Sequence, residues 1–188
     1  FVKLLPADCI LCLDEAYSDF VPKSMLPKIP VDFENVIRMR TFSKAYGMAG
    51  GRCGYAIGSK NVISSFNKIR NHFGINKVTQ IGALASLKDK NYLRNVLIKI
   101  NKSKLNISKI AIENNFNPIQ SYTNFVTIDC MRNFEYAKLI MEGLVKKGVF
   151  VRMPFSFPQN RCIRVSAGTK KDLFFLSEAL SEVVKEIN

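Results

Sequence analysis

Short strand-like runs alternate with longer amphipathic stretches in this chain, and that alternation favours an α/β architecture. An apolar run at 9–13 ends in Asp14, which is typical of a buried parallel strand with a carboxylate at its carboxyl end. Two more strands are predicted at 35–42 and 53–58, on either side of a glycine-rich segment. The other elements predicted in this half are a proline-rich surface loop at 22–30 and helices at 60–70 and 77–87.

The second half of the chain follows one long helix. A lysine-rich amphipathic stretch at 91–115 is predicted to be helical and long enough to link two domains. Beyond it the order is strand, helix, strand, strand, helix, with elements at 124–129, 134–147, 149–152 and 161–166 and a last helix that Thr169 and Asp172 cap. The sequence therefore predicts part of a large domain at 1–95, a linking helix at 96–116 and a small α/β domain at 117–188.

Composition and charge narrow the class of protein. The side chains are 47% hydrophobic and 23% charged, which is ordinary for a globular protein. No apolar run approaches the roughly 20 residues that cross a bilayer, and the first residues lack the features of a signal peptide. The net charge is +13, but the lysines are dispersed along helices and no nucleic-acid-reading motif accompanies them. We expect neither a nucleic-acid partner nor a membrane partner.

The cysteines do not predict a metal site. Cys9 and Cys12 have C-x2-C spacing, but no second pair of Cys or His follows at the spacing of a zinc site. We therefore expect no metal, and interpret the cysteines as reduced residues in the core of a cytosolic protein. The five are Cys9, Cys12, Cys53, Cys130 and Cys162.

One lysine, Lys44, lies among small and hydroxyl residues just before a glycine-rich bend, in RTFSKAYGMAGGRCGYAIG at 40–58. Its neighbours are unlike those of a lysine on a solvated helix face, which indicates that its amine is used in chemistry. Lysine amines form Schiff bases with aldehydes. Because ligands of open α/β sheets collect beyond the carboxyl ends of the strands, Asp14 and Lys44 are both expected at such a site.

The residues around Lys44 match one cofactor. A carboxylate such as Asp14 pairs with a protonated ring nitrogen, and Tyr17 can donate a hydrogen bond to a phenolate oxygen. Hydroxyl groups and an arginine near a glycine-rich turn can hold a phosphate, and the three candidates are Thr41, Ser43 and Arg52. A ligand with a ring nitrogen, a phenolic oxygen, an aldehyde and a phosphate is pyridoxal 5'-phosphate, whose known signature is a lysine Schiff base with an aspartate on the ring nitrogen.

At these residues the sequence resembles the fold-type I pyridoxal-phosphate aminotransferases of class I/II, and within them the histidinol-phosphate aminotransferase branch. The segments that carry the resemblance are LDEAYSDF, RTFSKAYGMAGGRCGYAIG, SYTNF and RCIRVSAGT, in that order. The resemblance covers nearly the whole chain. It implies the second half of the large cofactor-binding domain, with a mixed or parallel sheet and helices, followed by a C-terminal α/β small domain.

The resemblance also implies a role for each site residue. Lys44 would form the internal aldimine and then act as acid and base, Asp14 would keep the ring nitrogen protonated, and Tyr17 would bind the phenolic oxygen. Thr41, Ser43 and Arg52 would hold the phosphate. The substrate residues implied are Arg164 for the α-carboxylate, Arg152 for the distal end and Asn124 close by. The implied enzyme is a cytoplasmic homodimer of amino-acid biosynthesis, specifically histidine biosynthesis, that moves an amino group between an amino acid or histidinol phosphate and a 2-oxo acid such as 2-oxoglutarate.

Alternatives remain at this stage. The same lysine and aspartate would serve a threonine-phosphate decarboxylase, and the fold could persist as a regulatory domain without turnover. Individual residues have structural alternatives: Asp14, Thr41 and Ser43 could stabilise turns, Tyr17 could pack in the core, and Arg152 could be a surface charge.

The front of the family's chain has no counterpart here. The family is about twice this length, and its first half supplies a phosphate-binding loop, the aromatic residue that stacks on the ring, and a tyrosine from the partner subunit. Phe1 therefore resembles a cut inside the large domain. We expect this piece alone to be inactive.

Overall fold

Three short strands in the first half of the chain form a mixed sheet. A computed structural model describes residues 2–6 and 8–187, apart from the side chain of Lys3. It places β1 at Leu11–Asp14, β2 at Val36–Thr41 and β3 at Gly54–Ile57. The order is β1-β2-β3, with β1 parallel to β2 and β3 antiparallel to it. All three predicted strands are confirmed, as is the parallel direction of β1.

The prediction that β1 is buried is wrong. Leu11 and Leu13 are half-buried, whereas Cys12 and Asp14, which point to the opposite face, are exposed. The reason is that β1 is an edge strand and the described residues leave one face of it open. Burial in this sheet is concentrated on the central strand, where Val36 and Ile37 are buried.

Two capped helices follow the sheet. The first, α1 at Lys60–Phe66, begins at Ser59, and the second, α2 at Lys77–Lys88, begins at Asn76. Helix α1 ends four residues before the predicted end at 70. Its last hydrogen bonds tighten to three-residue turns, and Ile69, which the prediction assigned to the apolar face, is 83% exposed and therefore adds no buried area.

The long helix α3 spans Lys90–Glu113, so it begins before and ends before the linking helix predicted at 96–116. Its start is fixed by Asp89, whose carboxylate accepts the amide hydrogen of Tyr92 at 2.8 Å. Its end is fixed by Asn115, which adopts a left-handed conformation with φ of 62°. The amide of Phe116 then donates to the carbonyl of Ala111, which is a common helix stop.

The chain divides into two compact units, residues 1–95 and residues 96–188. The elements of the second unit after α3 are β4 at Asn117–Ile119, β5 at Phe125–Asp129, α4 at Phe134–Lys146, β6 at Cys162–Ser166 and α5 at Lys170–Ile187. The three strands form an antiparallel sheet in the order β4-β5-β6, and the two helices pack on it. Buried side chains from β5, β6, α4, α5 and the second half of α3 form one core.

One predicted strand of this unit does not form. The run at 149–152 contributes only Arg152, which makes an isolated bridge with Arg164. The start of the run closes helix α4 instead, because Gly148 is left-handed and the amide of Val149 donates to the carbonyl of Leu144. The predicted cap of α5 is confirmed: the Thr169 hydroxyl donates to Asp172 at 2.7 Å and accepts the amide hydrogen of Asp172 at 3.3 Å.

The cysteines divide into two groups. Cys53, Cys130 and Cys162 are buried as predicted, but Cys9 and Cys12 are exposed, which corrects the expectation that all five lie in the core. The correction has the same origin as that for β1, since Cys9 precedes this edge strand and Cys12 lies on its open face. No helix in the described part of the chain has both the length and the apolar character to cross a bilayer.

Candidate active site

The candidate site lies where β1 and β2 end. Asp14 is the last residue of β1, and Lys44 follows the last residue of β2, Thr41, by three positions. Because the two strands are parallel and paired, with Asp14 opposite Met39, their carboxyl ends are at the same edge of the sheet. This is the edge at which open α/β sheets bind ligands.

Lys44 lies against Tyr17. The Lys44 Nζ is 5.2 Å from the centroid of the Tyr17 ring, within the range of a cation–π contact. Lys44 is exposed and Tyr17 is half-buried, with its ring 6.2 Å from that of Phe20. The structure therefore brings together two of the predicted site residues, and it leaves the lysine amine open to solvent.

Asp14 directs the chain from β1 towards Tyr17. Its Oδ1 accepts the amide hydrogen of Ala16 at 2.9 Å, which forms a short side-chain-to-backbone turn. The carboxylate is exposed. The turn that was an alternative to a ligand role at Asp14 therefore forms, and it occupies one carboxylate oxygen.

The two hydroxyl residues of the site belong to one turn. The Thr41 Oγ1 accepts the amide hydrogen of Ser43 at 3.0 Å and donates to the carbonyl of Cys53 at 3.5 Å. The second bond is at the upper limit of hydrogen-bond length and is therefore weak. Thr41 stabilises the turn in this arrangement, and only the long bond to Cys53 would be exchanged if its hydroxyl hydrogen were donated to a ligand.

Arg52 lies in the glycine-rich connection between β2 and β3. It is exposed, has a left-handed backbone with φ of 51°, and donates from Nη1 to the carbonyl of Ala49 at 2.9 Å. The return of the chain depends on Gly54, since a Cβ there would lie 2.6 Å from the carbonyl oxygen of Arg40. The remaining N–H groups of Arg52 are available to an anion.

A buried carboxylate outside the predicted site residues holds these two strand ends together. Glu15 is 7% exposed. Its Oε1 accepts from Arg38 Nε at 2.8 Å, and its Oε2 accepts from Arg38 Nη2 at 3.1 Å and from Arg40 Nε at 2.8 Å. The sequence shows an acidic residue after the strand and two arginines two positions apart on one face of the next strand, but only the pairing of β1 with β2 makes them partners.

The pKa values around Glu15 follow from its bonds to Arg38 and Arg40, which together form a clamp across the two strands. Burial alone would raise the pKa of Glu15, but the hydrogen bonds and charges of Arg38 and Arg40 outweigh it and hold the pKa below its usual value. Burial would lower the pKa of Arg40, but bonds to Glu15 and Tyr55 raise it instead. For Asp19 nearby, burial dominates and raises the pKa in spite of Arg40.

The second unit contains the predicted substrate residues Arg152 and Arg164. Their backbones exchange two hydrogen bonds, Arg152 N to Arg164 O at 3.2 Å and the reverse at 2.6 Å, so the two residues are directly opposite and share one face. The Arg164 guanidinium carbon is 4.5 Å from the centroid of the Phe125 ring. In residues 2–6 and 8–187, no carboxylate forms an ion pair with either arginine.

Asn124 precedes β5 and serves the backbone. Its carbonyl accepts the amide hydrogen of Ala167 at 2.8 Å, which extends the pairing of β5 with β6. The turn before it is held by the hydroxyls of Ser121 and Thr123, both of which donate to the carbonyl of Phe125.

The sequence did not predict that Arg152 and Arg164 lie opposite each other. The strand predicted at 149–152 came with no partner strand and no register from which their pairing could be inferred.

Comparisons with known proteins relate this chain to one family. The family model "Aminotransferase class I and II" matches residues 2–180. The histidinol-phosphate aminotransferase of Desulfotalea psychrophila is 34% identical over 194 residues, which cover 100% of this chain and 50% of the relative. The corresponding protein of Caldicellulosiruptor saccharolyticus is 34% identical over 98% of this chain and 51% of its own length.

A solved structure gives the same result. The crystal structure of histidinol-phosphate aminotransferase from Sinorhizobium meliloti in complex with pyridoxal-5'-phosphate superposes with a TM-score of 0.96 at 42% identity, over 99% of this chain and 52% of that one. The chain thus spans about half the length of the relatives it matches.

Proposed function

Because this chain belongs to the class I and II aminotransferase family, we propose that Lys44 is the residue that binds pyridoxal 5'-phosphate covalently. We propose that the protein at its natural length moves an amino group between an amino acid or histidinol phosphate and a 2-oxo acid such as 2-oxoglutarate. The branch of the family follows the names of the relatives, which are histidinol-phosphate aminotransferases, and it corresponds to a step in histidine biosynthesis.

The observation that carries this proposal is the arrangement at the strand ends. Asp14 and Lys44 lie at one edge of a parallel strand pair, and the Lys44 amine is exposed beside the Tyr17 ring. The donor set fits the cofactor chemically. It offers an amine for the aldehyde, a carboxylate for the ring nitrogen, a phenol for the ring oxygen, and hydroxyl and guanidinium groups of Ser43, Thr41 and Arg52 for the phosphate.

When bound, pyridoxal phosphate supplies an electron sink for the bond that breaks at the substrate's α-carbon. The chain's own residues do the rest. Asp14 keeps the ring nitrogen protonated through its negative charge, and Tyr17 donates its phenolic hydrogen. The Lys44 amine would take the proton from the α-carbon as a general base and, as a general acid, deliver it to the carbon that the cofactor's aldehyde supplies, which is the proton shift that transamination requires.

Substrate binding is assigned to the arginines of the second unit. Arg164 would form a forked pair with the α-carboxylate, and Arg152 would contact the distal, anionic end. Their opposition across one bridge supports this assignment, since two like charges held together without a carboxylate favour an anionic ligand. Asn124, at the start of the same ladder, is placed by this proposal at the edge of the substrate site.

Three further proposals concern the protein as a whole. It works as a homodimer, as the family resemblance implies, and it acts in the cytoplasm, where a reducing environment suits the free, exposed thiols of Cys9 and Cys12. The 188 residues alone do not transaminate, because they span about half the length of the relatives and carry only part of the cofactor's contacts.

The covalent bond to Lys44 is the feature to test first. The natural-length protein is incubated with pyridoxal phosphate, reduced with borohydride and digested, and mass spectrometry is expected to find the label on the Lys44 peptide. Lys44→Ala should lose the label and the visible absorption band, whereas Lys68→Ala, which removes another exposed lysine, should keep both. A protein that takes no label under these conditions would end the enzyme proposal.

The reaction is tested next by a donor screen with 2-oxoglutarate, including histidinol phosphate and aromatic amino acids. Glutamate formation supports the aminotransferase. Release of carbon dioxide without glutamate would support the decarboxylase alternative instead, and label at Lys44 without any turnover would support a regulatory domain.

A further inference from the structure

The two strand ends that carry the candidate site need a means of holding their spacing. The carboxyl ends of β1 and β2 are adjacent, but the chain between them is a long connection with two short 3-10 turns and the proline-rich loop. A parallel pair has no tight hairpin to fix its register. The position of Asp14 and Tyr17 relative to Lys44 must therefore be fixed by contacts across the pair.

Glu15 makes those contacts, through both its backbone and its side chain. Its amide donates to the carbonyl of Met39 at 2.8 Å, between the two arginines of β2. Its carboxylate receives three charge-assisted bonds, two from Arg38 and one from Arg40. The side chain is 5% exposed, and those of Arg38 and Arg40 are 16% and 21% exposed, so the three groups form one fixed cluster rather than a mobile surface pair.

The position of the cluster in the sequence gives it a function. Glu15 follows Asp14 directly and precedes Tyr17 by two residues, while Arg40 precedes Lys44 by four. Any rotation of the β1 end would move Asp14 and the Tyr17 ring together, and any shift of the β2 end would move Lys44. Glu15 belongs to the β1 end by its place in the chain, and bonds of 3.1 Å or less hold its carboxylate to the β2 end.

The surroundings keep the cluster in place. Asp19 is half-buried next to Arg40 and Glu15, and Tyr55 of β3 is near enough to Arg40 to raise its pKa. Tyr55 in turn lies against Phe42, with ring centroids 5.6 Å apart, and Phe42, two positions before Lys44, is buried. The cluster of Glu15, Arg38 and Arg40 is thus next to the aromatic side chains that precede the lysine.

We propose that Glu15, held by Arg38 and Arg40, is a positioning residue that sets the distance between the Lys44 amine and the Asp14–Tyr17 segment. It does not touch the cofactor or the substrate. This inference rests on the proposed function for its catalytic meaning, but its geometry can be tested without the cofactor.

The cofactor-free test uses the Tyr17 ring as a reporter. Lysines of the natural-length protein are methylated with ¹³C-formaldehyde, and the Lys44 signal is assigned by its absence in Lys44→Arg. A methylated amine above an aromatic ring has a resonance shifted upfield by the ring current, and this shift should vanish in Tyr17→Leu. We expect Glu15→Gln to reduce the shift, because a neutral amide cannot hold both guanidinium groups.

The matched control is Asp129→Asn. Asp129 is also a buried carboxylate that holds an arginine, with Arg161 Nη2 at 2.6 Å, but it lies in the second unit. Asp129→Asn should leave the ring-current shift of the Lys44 signal unchanged. A second variant, Arg38→Lys, keeps the positive charge and loses the fork, and it should reduce the shift in a protein that remains folded by circular dichroism.

The cofactor measurement separates the two proposals. Unmethylated Glu15→Gln and Arg38→Lys are expected to bind pyridoxal phosphate at least about tenfold more weakly, because the groups that contact the cofactor are displaced from one another. The affinity of Glu15→Asp should lie between theirs and that of the parent. If folded Arg38→Lys and Glu15→Asp keep the full ring-current shift and the affinity of Asp129→Asn, the positioning role is overturned. If no variant and no parent binds the cofactor but the shift still depends on Glu15, the proposed function fails and the clamp stands.

Discussion

The two units of this chain differ in how much apolar surface each one buries in its own core. The second unit encloses one continuous core, with fully buried Ile128, Ile163 and Leu180. The first unit has a small cluster of Phe42, Cys53 and Ala83, and many of its large apolar side chains are exposed. These include Ile69, Phe73, Val78 and Ile81.

The difference shows which forces can position a functional group. In the second unit, Arg164 stands on a sheet whose opposite face is a packed core, so packing holds its backbone. In the first unit, the buried apolar cluster near Lys44 is small, and the strand ends are held by the charged bonds of Glu15. Polar contacts of this kind respond more strongly to pH than packing does. The difference between the units can therefore be tested by the following experiments, whose expected effects decrease in size.

Thiol reactivity should show the largest contrast. Cys9 and Cys12 are exposed, whereas burial raises the pKa of Cys130 from 9.0 to about 12. The thiolate that reacts is therefore about a thousandfold scarcer at Cys130 than at an ordinary cysteine. In the native chain at pH 8, Ellman's reagent should modify Cys9 and Cys12 rapidly and the buried thiols only after unfolding. Rapid reaction of Cys130 in native protein would contradict the packed core.

Truncation of a core side chain is the next largest effect. Leu180 is 0% exposed in the core of the second unit, and Leu180→Ala should lower the free energy of unfolding by about 3 kcal/mol through lost burial and a cavity. Val78→Ala, at a position that is 81% exposed in the first unit, should change it by less than about 0.5 kcal/mol. Urea unfolding followed by circular dichroism measures both, and equal losses would remove the distinction between the units.

Alanine substitutions at two helical glycines should change the free energy of unfolding in opposite directions. A Cβ at Gly143 of α4 would lie 2.6 Å from Val183 Cγ1, and valine is stiff, so Gly143→Ala should destabilise by about 1–3 kcal/mol. A Cβ at Gly82 of α2 would meet only the flexible end of Met48 at 3.1 Å. Gly82→Ala should therefore be neutral or stabilise by up to about 1 kcal/mol.

The same urea experiment tests this pair, with Gly143→Ala combined with Val183→Ala as its control. If the clash is the cause, the double variant loses less than the sum of the two single variants. An additive result would show that α4 and α5 have enough room at Gly143 and Val183 for the added methyl group.

Acidification should give the smallest effect, and it should appear in the first unit. The pKa of Glu15 is lower in the folded protein than its ordinary value of 4.5, so the unfolded chain binds more protons in acid. Stability from Glu15 is complete above about pH 4.5 and falls as the pH drops through the folded pKa. Urea midpoints between pH 7 and pH 3 should show this loss in the parent and a weaker dependence in Glu15→Gln.

Asp19 provides the control for that pH series. Burial raises its pKa in the folded protein, so protonation of Asp19 adds stability as the pH falls and partly offsets the loss from Glu15. Asp19→Asn should therefore make the acid-induced loss steeper. A shallower curve in Asp19→Asn would reverse the sign that its burial predicts.

The sequence predicted elements well where one local signal dominated. Strands β2 and β3, the cap of α5 by Thr169 and Asp172, and the placement of Asp14 and Lys44 at strand ends all follow from short patterns. It failed where a second element decided the outcome. The run at 149–152 has strand-forming residues, yet its start closes helix α4, and burial of β1 depends on what covers its outer face.

The site was predicted residue by residue but not as a cluster. Lys44 stands out because of its small and hydroxyl neighbours, Tyr17 because it follows Asp14 by three positions, and Arg52 because it lies near the glycine-rich turn. Glu15 does not, because its importance comes from Arg38 and Arg40, which are more than 20 positions away and become partners only when β1 pairs with β2. Cross-strand partners require a register, and a single sequence does not specify the register of a parallel pair.

The opposition of Arg152 and Arg164 across one bridge would make the choice of buffer part of the thermodynamics of the second unit if the pair binds anions as proposed. A dianion that spanned the two guanidinium groups would bind the folded chain and not the unfolded one, and it would add RT ln(1 + [L]/Kd) to stability, about 2.7 kcal/mol at a hundred times Kd. Melting temperatures measured in phosphate and in Tris would then refer to different chemical equilibria, and the stability of this unit would be a joint property of the polypeptide and its solutes.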